Sequence, residues 1–294
     1  MYYPLSIAIK NNLNNFITPK DYDIIISDTE LENRENFKKN YEDIQGKDIV
    51  KAISYYSEHE KYNSIVLVLE HNTIDPLINL LTKFPKQKNI TILDLHSGVF
   101  AWGEKSTPSQ YAPYSLEDYG FEIITPIDEY TFHSRINEKT HTGGKKYFAI
   151  PDLVLPENLT KKEKFPIIIH YETENKNAHT GILTIGYPYI QVGQLLQQKN
   201  IKNITLLISD TINLNKKSLS HIKEFNNLII IIDSKHPDII KKNIQAQLYT
   251  AKIFDIKLKV ITPKYEKLTT ILKDYQLQET EFDTEGLAQQ LNLG

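Results

Sequence analysis

The sequence of 294 residues contains no cysteine, and this absence excludes several kinds of chemistry. Thiol catalysis, disulfide bonds and metal sites built from thiolates all require that residue. Arginine is almost as scarce, since only Arg34 and Arg135 occur. The guanidinium group grips phosphates and carboxylates with two parallel hydrogen bonds. A site here that holds several phosphates would therefore depend on lysine, on backbone amides or on another chain.

Long apolar runs and an excess of basic charge are also missing. The most apolar stretches, SIVLVLE and NNLIIIIDS, have the length of strands and cannot span a bilayer. The N-terminal stretch is too short and too polar for a signal peptide. The chain has 34 basic and 37 acidic residues, so it lacks the electrostatic footprint of a nucleic-acid-binding protein. We expect a soluble cytoplasmic protein that binds neither membranes nor nucleic acid.

Short β-branched runs bounded by polar residues fill much of the sequence, a pattern typical of buried parallel strands. They predict strands at residues 22–28, 64–70, 89–95, 121–128, 146–152, 165–172, 180–187, 203–210, 227–234 and 256–263. Helix-like stretches alternate with them at residues 47–58, 75–84, 189–200, 215–224, 237–249 and 284–291. This alternation predicts the α/β class, with two three-layer α/β sandwich domains built on mostly parallel sheets. A lysine-rich, proline-flanked connection places the domains at residues 1–155 and 156–294.

The stretch FKKNYEDIQGKD, residues 37–48, gives a first indication of function. It resembles a stretch in the pyrimidine-binding domain of transketolase-like thiamine diphosphate enzymes, where a glutamate opens a helix and hydrogen-bonds the aminopyrimidine of the cofactor. A match without gaps places Asp48 at the position of that glutamate, and a shift of two residues places Gly46 there. From the residues alone, an acid is also favoured at a helix start by the helix dipole. Both interpretations of Asp48 stay open.

The stretch DLHSGVFAWGEKSTPSQ, residues 94–110, resembles the substrate loop of the same family. In that loop a histidine and small residues precede an aromatic residue and Gly-Glu. The resemblance implies that His96 contacts substrate, that Gln110 positions it, and that Phe100 or Trp102 packs on the pyrimidine. For His96, a loop histidine bonded to the backbone is the alternative interpretation.

Several groups of the family's site are replaced. Lys105 stands where the family has an acid, and Ser109 stands where it has a second histidine. Serine titrates far from neutrality and cannot replace histidine unaided as a general acid or base. Ala149 and Asp152 occupy a strand that carries arginines for the substrate phosphate in transketolases. These replacements argue against the family's grip on sugar phosphates.

The run Gly143-Gly144-Lys145-Lys146 invites comparison with a phosphate-binding loop. It lacks the spacing of a Walker motif and precedes a predicted strand instead of a helix. We therefore expect a hairpin-like turn with solvated lysines.

The C-terminal half resembles the C-terminal domain of transketolases, in the opening TGILTIGYPYIQVGQLLQQ and in the close YQLQETEFDTEGLAQQL. The family's Gly-Asp-Gly segment, which binds magnesium and the diphosphate in a separate domain, is absent from the sequence. The resemblance therefore implies thiamine diphosphate with magnesium, held mostly by a partner subunit that carries the diphosphate-binding domain. An oligomer of like or unlike chains is expected.

Two hypotheses about function remain. The chain is a beta-type subunit of a heteromeric transketolase-like enzyme that transfers a two-carbon or acyl unit, as in the beta subunit of pyruvate dehydrogenase. Alternatively, it is a catalytically inactive homologue with a structural or regulatory role. The surviving loop pattern favours the first hypothesis, and the replaced acid, histidine and arginine favour the second.

Overall fold

The computed structural model describes residues 4–18, 21–37, 40–44, 48–70, 74–95, 113–138, 144–151, 180–198, 204–234 and 237–262. The chain divides into two compact units, residues 1–161 and 162–294. The strand predicted at 165–172, the helix predicted at 284–291 and the boundary at residue 155 lie outside the described residues. No helix in the described ranges is long and apolar enough to cross a membrane.

The main elements of the first unit are α1 (Leu5–Asn12), β1 (Ile24–Ser27), β2 (Tyr41–Asp43), α2 (Ile49–Glu58), β3 (Ser64–Leu69), α3 (Ile74–Thr82), β4 (Asn89–Leu95), β5 (Phe121–Ile124), α4 (Glu129–Asn137) and β6 (Lys145–Ile150). The strands form a six-stranded sheet in the order β2–β1–β3–β4–β6–β5, and all of its strand pairs are parallel. Short 3-10 helices lie at Leu13–Asn15, Arg34–Phe37 and Pro113–Tyr119.

The middle of this sheet forms the core of the unit. Residues 65–69 of β3 are fully buried, because neighbouring strands and helices cover both faces of a parallel sheet. Burying a Val, Leu or Ile side chain contributes about 1.5–3 kcal/mol each, so these β-branched runs fix the strand positions. The buried Tyr147 hydroxyl donates to the Asp94 carboxylate and joins β6 to β4.

The prediction of a hairpin-like turn with solvated lysines was wrong. Strands β5 and β6 run parallel and are connected through α4, so these two strands do not form a hairpin. Lys145 and Lys146 begin β6 and are buried, with exposed fractions of 7% and 3%. Both ammonium groups donate to backbone carbonyls instead of facing water.

Three buried lysines satisfy carbonyls at the ends of four helical segments. Lys146 Nζ donates to the carbonyl oxygens of Arg135 at 2.6 Å and Glu138 at 2.9 Å, at the end of α4. Lys88 Nζ donates likewise to those of Tyr56 and His59, and Lys145 Nζ to those of Phe84 and Tyr119. The last carbonyls of a helix have no partner within it and carry its negative dipole end, so an ammonium group there is doubly favourable.

The described elements of the second unit are β7 (Thr180–Ile185), α5 (Tyr189–Gln198), β8 (Ile204–Ser209), α6 (Lys216–Ile222), β9 (Asn227–Ile232), α7 (Pro237–Thr250) and β10 (Lys257–Ile261). Its strands form a four-stranded parallel sheet in the order β10–β9–β7–β8. Each strand lies within a strand predicted from the sequence. The α/β class with two parallel sheets is confirmed.

Gly181 of β7 allows a close approach that no other residue permits. A Cβ atom added there would lie 2.7 Å from Cδ2 and 2.8 Å from Cε2 of Phe225. Gly181→Ala is expected to destabilise the second unit by about 1–2 kcal/mol, because the added methyl group overpacks against Phe225. This cost exceeds the stabilisation that alanine provides by lowering the conformational entropy of the unfolded chain. Hydrogen exchange of the β7 amides measures the change.

Gly193→Ala in α5 is the matched control, because no atom lies within 4 Å of its added Cβ. Removing a glycine from this helix should stabilise the unit by about 0.5–1 kcal/mol. In a Phe225→Leu background, Gly181→Ala should cost less than half as much. Equal effects of the two alanine substitutions would refute the packing argument.

Candidate functional site

Polar side chains gather at the carboxyl edge of the six-stranded sheet, where ligands bind in open α/β folds. The chain leaves β1 toward β2 on one side and leaves β3 toward β4 on the other. Connections that diverge in this way open a crevice between the carboxyl ends of β1 and β3. Ser27 ends β1, Asp28 and Thr29 follow it, and Glu70 follows β3. These residues form a polar cluster at the carboxyl edge of the sheet.

Contacts within this cluster are extensive. The Glu70 side chain is 5% exposed; its Oε1 accepts from Lys10 Nζ at 3.0 Å, and its Oε2 accepts from the Thr29 hydroxyl. Asp28 Oδ1 in turn accepts from the Glu70 backbone N–H at 2.6 Å. The Ser27 hydroxyl closes the turn by donating to the Thr29 carbonyl at 2.8 Å. Since both Glu70 oxygens are engaged, this carboxylate ties α1 and the turn after β1 to the end of β3.

Sequence reasoning missed this cluster, although part of it carried a signal. Glu70 is the last residue of the predicted strand SIVLVLE, and a polar residue at a strand's carboxyl end is a candidate in any parallel sheet. Its partner Lys10 lies 60 positions away on a helix that the sequence pattern did not predict. No local sequence pattern could have predicted that Lys10 and Glu70 form an ion pair.

A matching turn stands in the second unit. The tripeptide Ser-Asp-Thr follows the same path at the carboxyl end of β8, where the Ser209 hydroxyl donates to the Thr211 carbonyl at 2.7 Å. In both turns the threonine N–H also lies 3.3 Å from the serine Oγ. Such side-chain to backbone bonds let a strand end sharply. At the same edge the Tyr187 hydroxyl donates to the Asp233 carboxylate and bridges the ends of β7 and β9.

Asp48 is the N-cap residue of α2, as the interpretation from the helix dipole expected. Its Oδ1 accepts from the Lys51 backbone N–H at 3.2 Å, and its Oδ2 lies 3.2 Å from Lys51 Nζ. The hydrogen bond from the Lys51 backbone, followed by the Lys51 side chain, lowers the pKa of the Asp48 carboxyl group. The side chain is 49% exposed, so the carboxylate remains accessible at the carboxyl edge of the sheet, where α2 begins.

Asp48→Ala should lower the midpoint of thermal unfolding by about 2–4 °C, because the cap of α2 is lost. The low pKa of Asp48 means that the charge-dependent part of this contribution is present at neutral pH and is lost as the pH falls below 3.8 through the lowered pKa of the folded-state carboxylate. Thermal scans at pH 7 and pH 3 measure both effects. Asp48→Asn, which preserves the capping oxygen, is the control; an equal loss with Asn would contradict the capping role.

The other four predicted site residues, His96, Phe100, Trp102 and Gln110, lie outside the described residues. Strand β4 ends at Leu95, directly before His96 in the sequence. Their positions relative to Asp48 and their roles stay predictions.

Comparison with known proteins decides the fold. No protein-family model and no curated protein sequence matches the chain. Among solved structures, the chain is similar to a split-gene transketolase described as an inactive β4 tetramer, with a TM-score of 0.58 and 8% identity over 82% of each chain. The fold is transketolase-like. A transketolase from Campylobacter jejuni subsp. jejuni NCTC 11168 gives a TM-score of 0.56 and 10% identity, over 92% of this chain and 43% of that one.

The predicted resemblance to transketolases is thus confirmed for the fold, over most of the chain. At 8% and 10% identity the similarity shows the fold alone. This chain spans less than half of the Campylobacter jejuni transketolase and most of the split-gene chain. Because one fold supports many activities, function has to be argued from the site.

Proposed function

We propose that this chain is the beta-type subunit of a heteromeric transketolase-like enzyme that transfers a two-carbon or acyl unit. The observation that carries the proposal is the mutual 82% coverage with a split-gene transketolase chain, which means that the two chains have similar extent as well as similar fold. These 294 residues contain no Gly-Asp-Gly segment, so the proposal includes a partner subunit that supplies the site for magnesium and the diphosphate.

Asp48 is the described residue that fits a role toward thiamine diphosphate. Its half-exposed carboxylate lies at a helix start on the carboxyl edge of the sheet, and its Oδ2 lies 3.2 Å from Nζ of the 85% exposed Lys51 side chain. A carboxylate there would accept a hydrogen bond from the aminopyrimidine. The cofactor, when bound, supplies the carbanion chemistry. His96 and Gln110 would hold the substrate, and Phe100 or Trp102 would pack on the pyrimidine.

A second candidate function is that of a catalytically inactive homologue with a structural or regulatory role. Its support is the hydrogen bonding of Asp48, which already serves the Lys51 backbone N–H as an ordinary helix cap. The lowered pKa also makes this carboxylate a weak proton acceptor. The replacements at Lys105, Ser109 and Ala149 point the same way.

Co-purification tests the proposal. The tagged full-length chain is expressed in its source cell and purified, and the proteins that accompany it are identified by mass spectrometry. A stoichiometric partner that carries Gly-Asp-Gly and confers thiamine diphosphate-dependent turnover on the complex is the expected result. Recovery of the chain alone, or of unrelated proteins, would overturn the subunit assignment and favour the second candidate.

A further inference from the structure

Two large aromatic rings pack against each other on the surface of the second unit. Tyr249, near the end of α7, is 72% exposed, and Phe254, just before β10, is 64% exposed. Their centroids lie 5.4 Å apart with an interplanar angle of 75°, an edge-to-face arrangement. Single exposed apolar residues are ordinary, but a contiguous aromatic pair has the composition of an interaction site. We call the surface formed by residues 249–260 the α7–β10 corner.

The turn between the two rings holds a lysine in a conformation that favours glycine. Lys252 has φ of 59°, its N–H donates to the Tyr249 carbonyl, and the Ile253 N–H donates to the Leu248 carbonyl, both at 2.9 Å. These two bonds form a Schellman motif, whose left-handed position glycine usually occupies. The chain thus places an exposed cation between the rings at a position where glycine would be more stable.

Strand β10 offers an edge beside the rings. Within the described residues it pairs with β9 only and lies outermost in the sheet. Because the Lys257 N–H donates toward Asn226, the N–H groups of Leu258 and Val260 point to the opposite side. An edge strand of this kind is a template for an added strand.

The charge of the corner contrasts with that of the first unit. Residues 249–260 carry three lysines against one aspartate, whereas residues 1–161 carry 23 acidic residues against 17 basic ones. Lys252 and Lys257 form no ion pair with any residue that the structure describes. Lysines on an edge strand also discourage self-pairing. Protection against self-pairing does not explain Lys252 in the turn after α7, and it does not explain the exposed rings of Tyr249 and Phe254.

We propose that the α7–β10 corner docks an acidic, extended segment of another protein. The segment adds a strand to the edge of β10 that no described strand occupies, sets an apolar side chain against Tyr249 and Phe254, and places its carboxylates near Lys252 and Lys257. This interaction lies in the second unit and does not depend on cofactor activity.

The test uses the full-length protein and a fluorescein-labelled ten-residue peptide of alternating glutamate and valine, followed by fluorescence anisotropy. Binding should be saturable and should weaken as salt rises. A lysine–valine peptide of equal length and a ten-nucleotide poly(U) RNA should not bind. Equal or tighter binding of either one, or no binding of the glutamate peptide up to millimolar concentration, would overturn the proposal.

Four variants locate the surface. Tyr249→Ala should weaken binding about tenfold or more, and Tyr119→Ala, at an exposed tyrosine of the first unit, should leave it unchanged. Lys252→Gly should weaken binding severalfold while raising the midpoint of thermal unfolding, a combination that a purely structural residue would not give. Val260→Pro should abolish strand addition, because proline removes only an outward-facing N–H.

Peptides N-methylated at every valine, or at every glutamate, test strand addition without altering the protein. Alternate N–H groups of an added strand face β10, so one of the two methylated peptides must lose binding. If both peptides still bind, pairing with β10 is refuted. If the protein self-associates and Tyr249→Ala abolishes that self-association, the corner binds a second copy of this chain. That result would overturn the proposal that it binds another protein.

Discussion

Asp48→Asn is expected to reduce thiamine diphosphate-dependent turnover of the reconstituted heteromeric complex by at least about 100-fold. The asparagine oxygen still accepts from the Lys51 backbone N–H, so α2 keeps its cap and the protein keeps most of its stability. The substitution removes only the negative charge that would hold the aminopyrimidine. Steady-state turnover with the co-purified partner, measured beside thermal unfolding of the same preparation, separates the chemical role from the structural one.

Asp48→Glu is the matched variant, because it lengthens the side chain by one methylene group and restores the residue of the transketolase family. Unchanged turnover in Asp48→Asn would remove Asp48 from the mechanism. A large increase over the natural chain in Asp48→Glu would show a site that has lost efficiency, and would favour the inactive homologue. Turnover that is highest with aspartate supports a working beta-type subunit.

The strands could be predicted from the sequence because burial on both faces demands continuous β-branched runs. Strand β3 extends over Ser64–Leu69 within the predicted range 64–70, and the five apolar residues of this strand are fully buried. Strand β2 escaped prediction, since Tyr41, Glu42 and Asp43 are polar or half-buried and their pairing with β1 depends on tertiary position. A local sequence pattern therefore predicts strands such as β3, whose apolar side chains are all buried, and does not predict strands such as β2, whose position depends on tertiary pairing.

The candidate site shows the same division. Asp48 could be placed at a helix start from its neighbours alone, and its capping bond to Lys51 is local. The Lys10–Glu70 pair connects residues far apart in sequence, so only the folded chain reveals it. Sequence reasoning therefore found the residue whose geometry is local and missed the cluster whose geometry the sheet creates.

The buried lysines are the clearest case of a local pattern that misleads. A lysine beside two glycines is normally solvated. Lys146, however, lies at the amino end of β6, and the crossover connection from β5 through α4 places the last carbonyls of that helix next to its ammonium group. Two hydrogen bonds from one ammonium group then replace water. We therefore expect the stability of the first unit to depend strongly on Lys146, although the sequence pattern predicted a solvated side chain there.

Lys146→Met should therefore destabilise the first unit by about 2–3 kcal/mol, because the carbonyls of Arg135 and Glu138 lose a charged donor. Methionine keeps most of the volume of the lysine stem, so cavity formation contributes little. Lys83→Met, at an exposed position beyond the end of α3, is the control and should change stability by less than about 0.5 kcal/mol. Chemical denaturation of both variants measures the difference, and equal losses would contradict the capping role.

The same variant should alter the pH dependence of stability. Burial lowers the pKa of Lys146 below its ordinary value of 10.5, a shift that the nearby Glu138 and Glu122 oppose. Between the lowered pKa and 10.5 the unfolded chain binds more protons at this lysine than the folded chain, so the free energy of unfolding rises with pH. Lys146→Met lacks this rise, and the stability gap between the two proteins should widen as the pH increases from 7 toward 10. A gap that narrows over this interval would mean that the ammonium form is favoured by folding, and that its hydrogen bonds outweigh the burial of its charge.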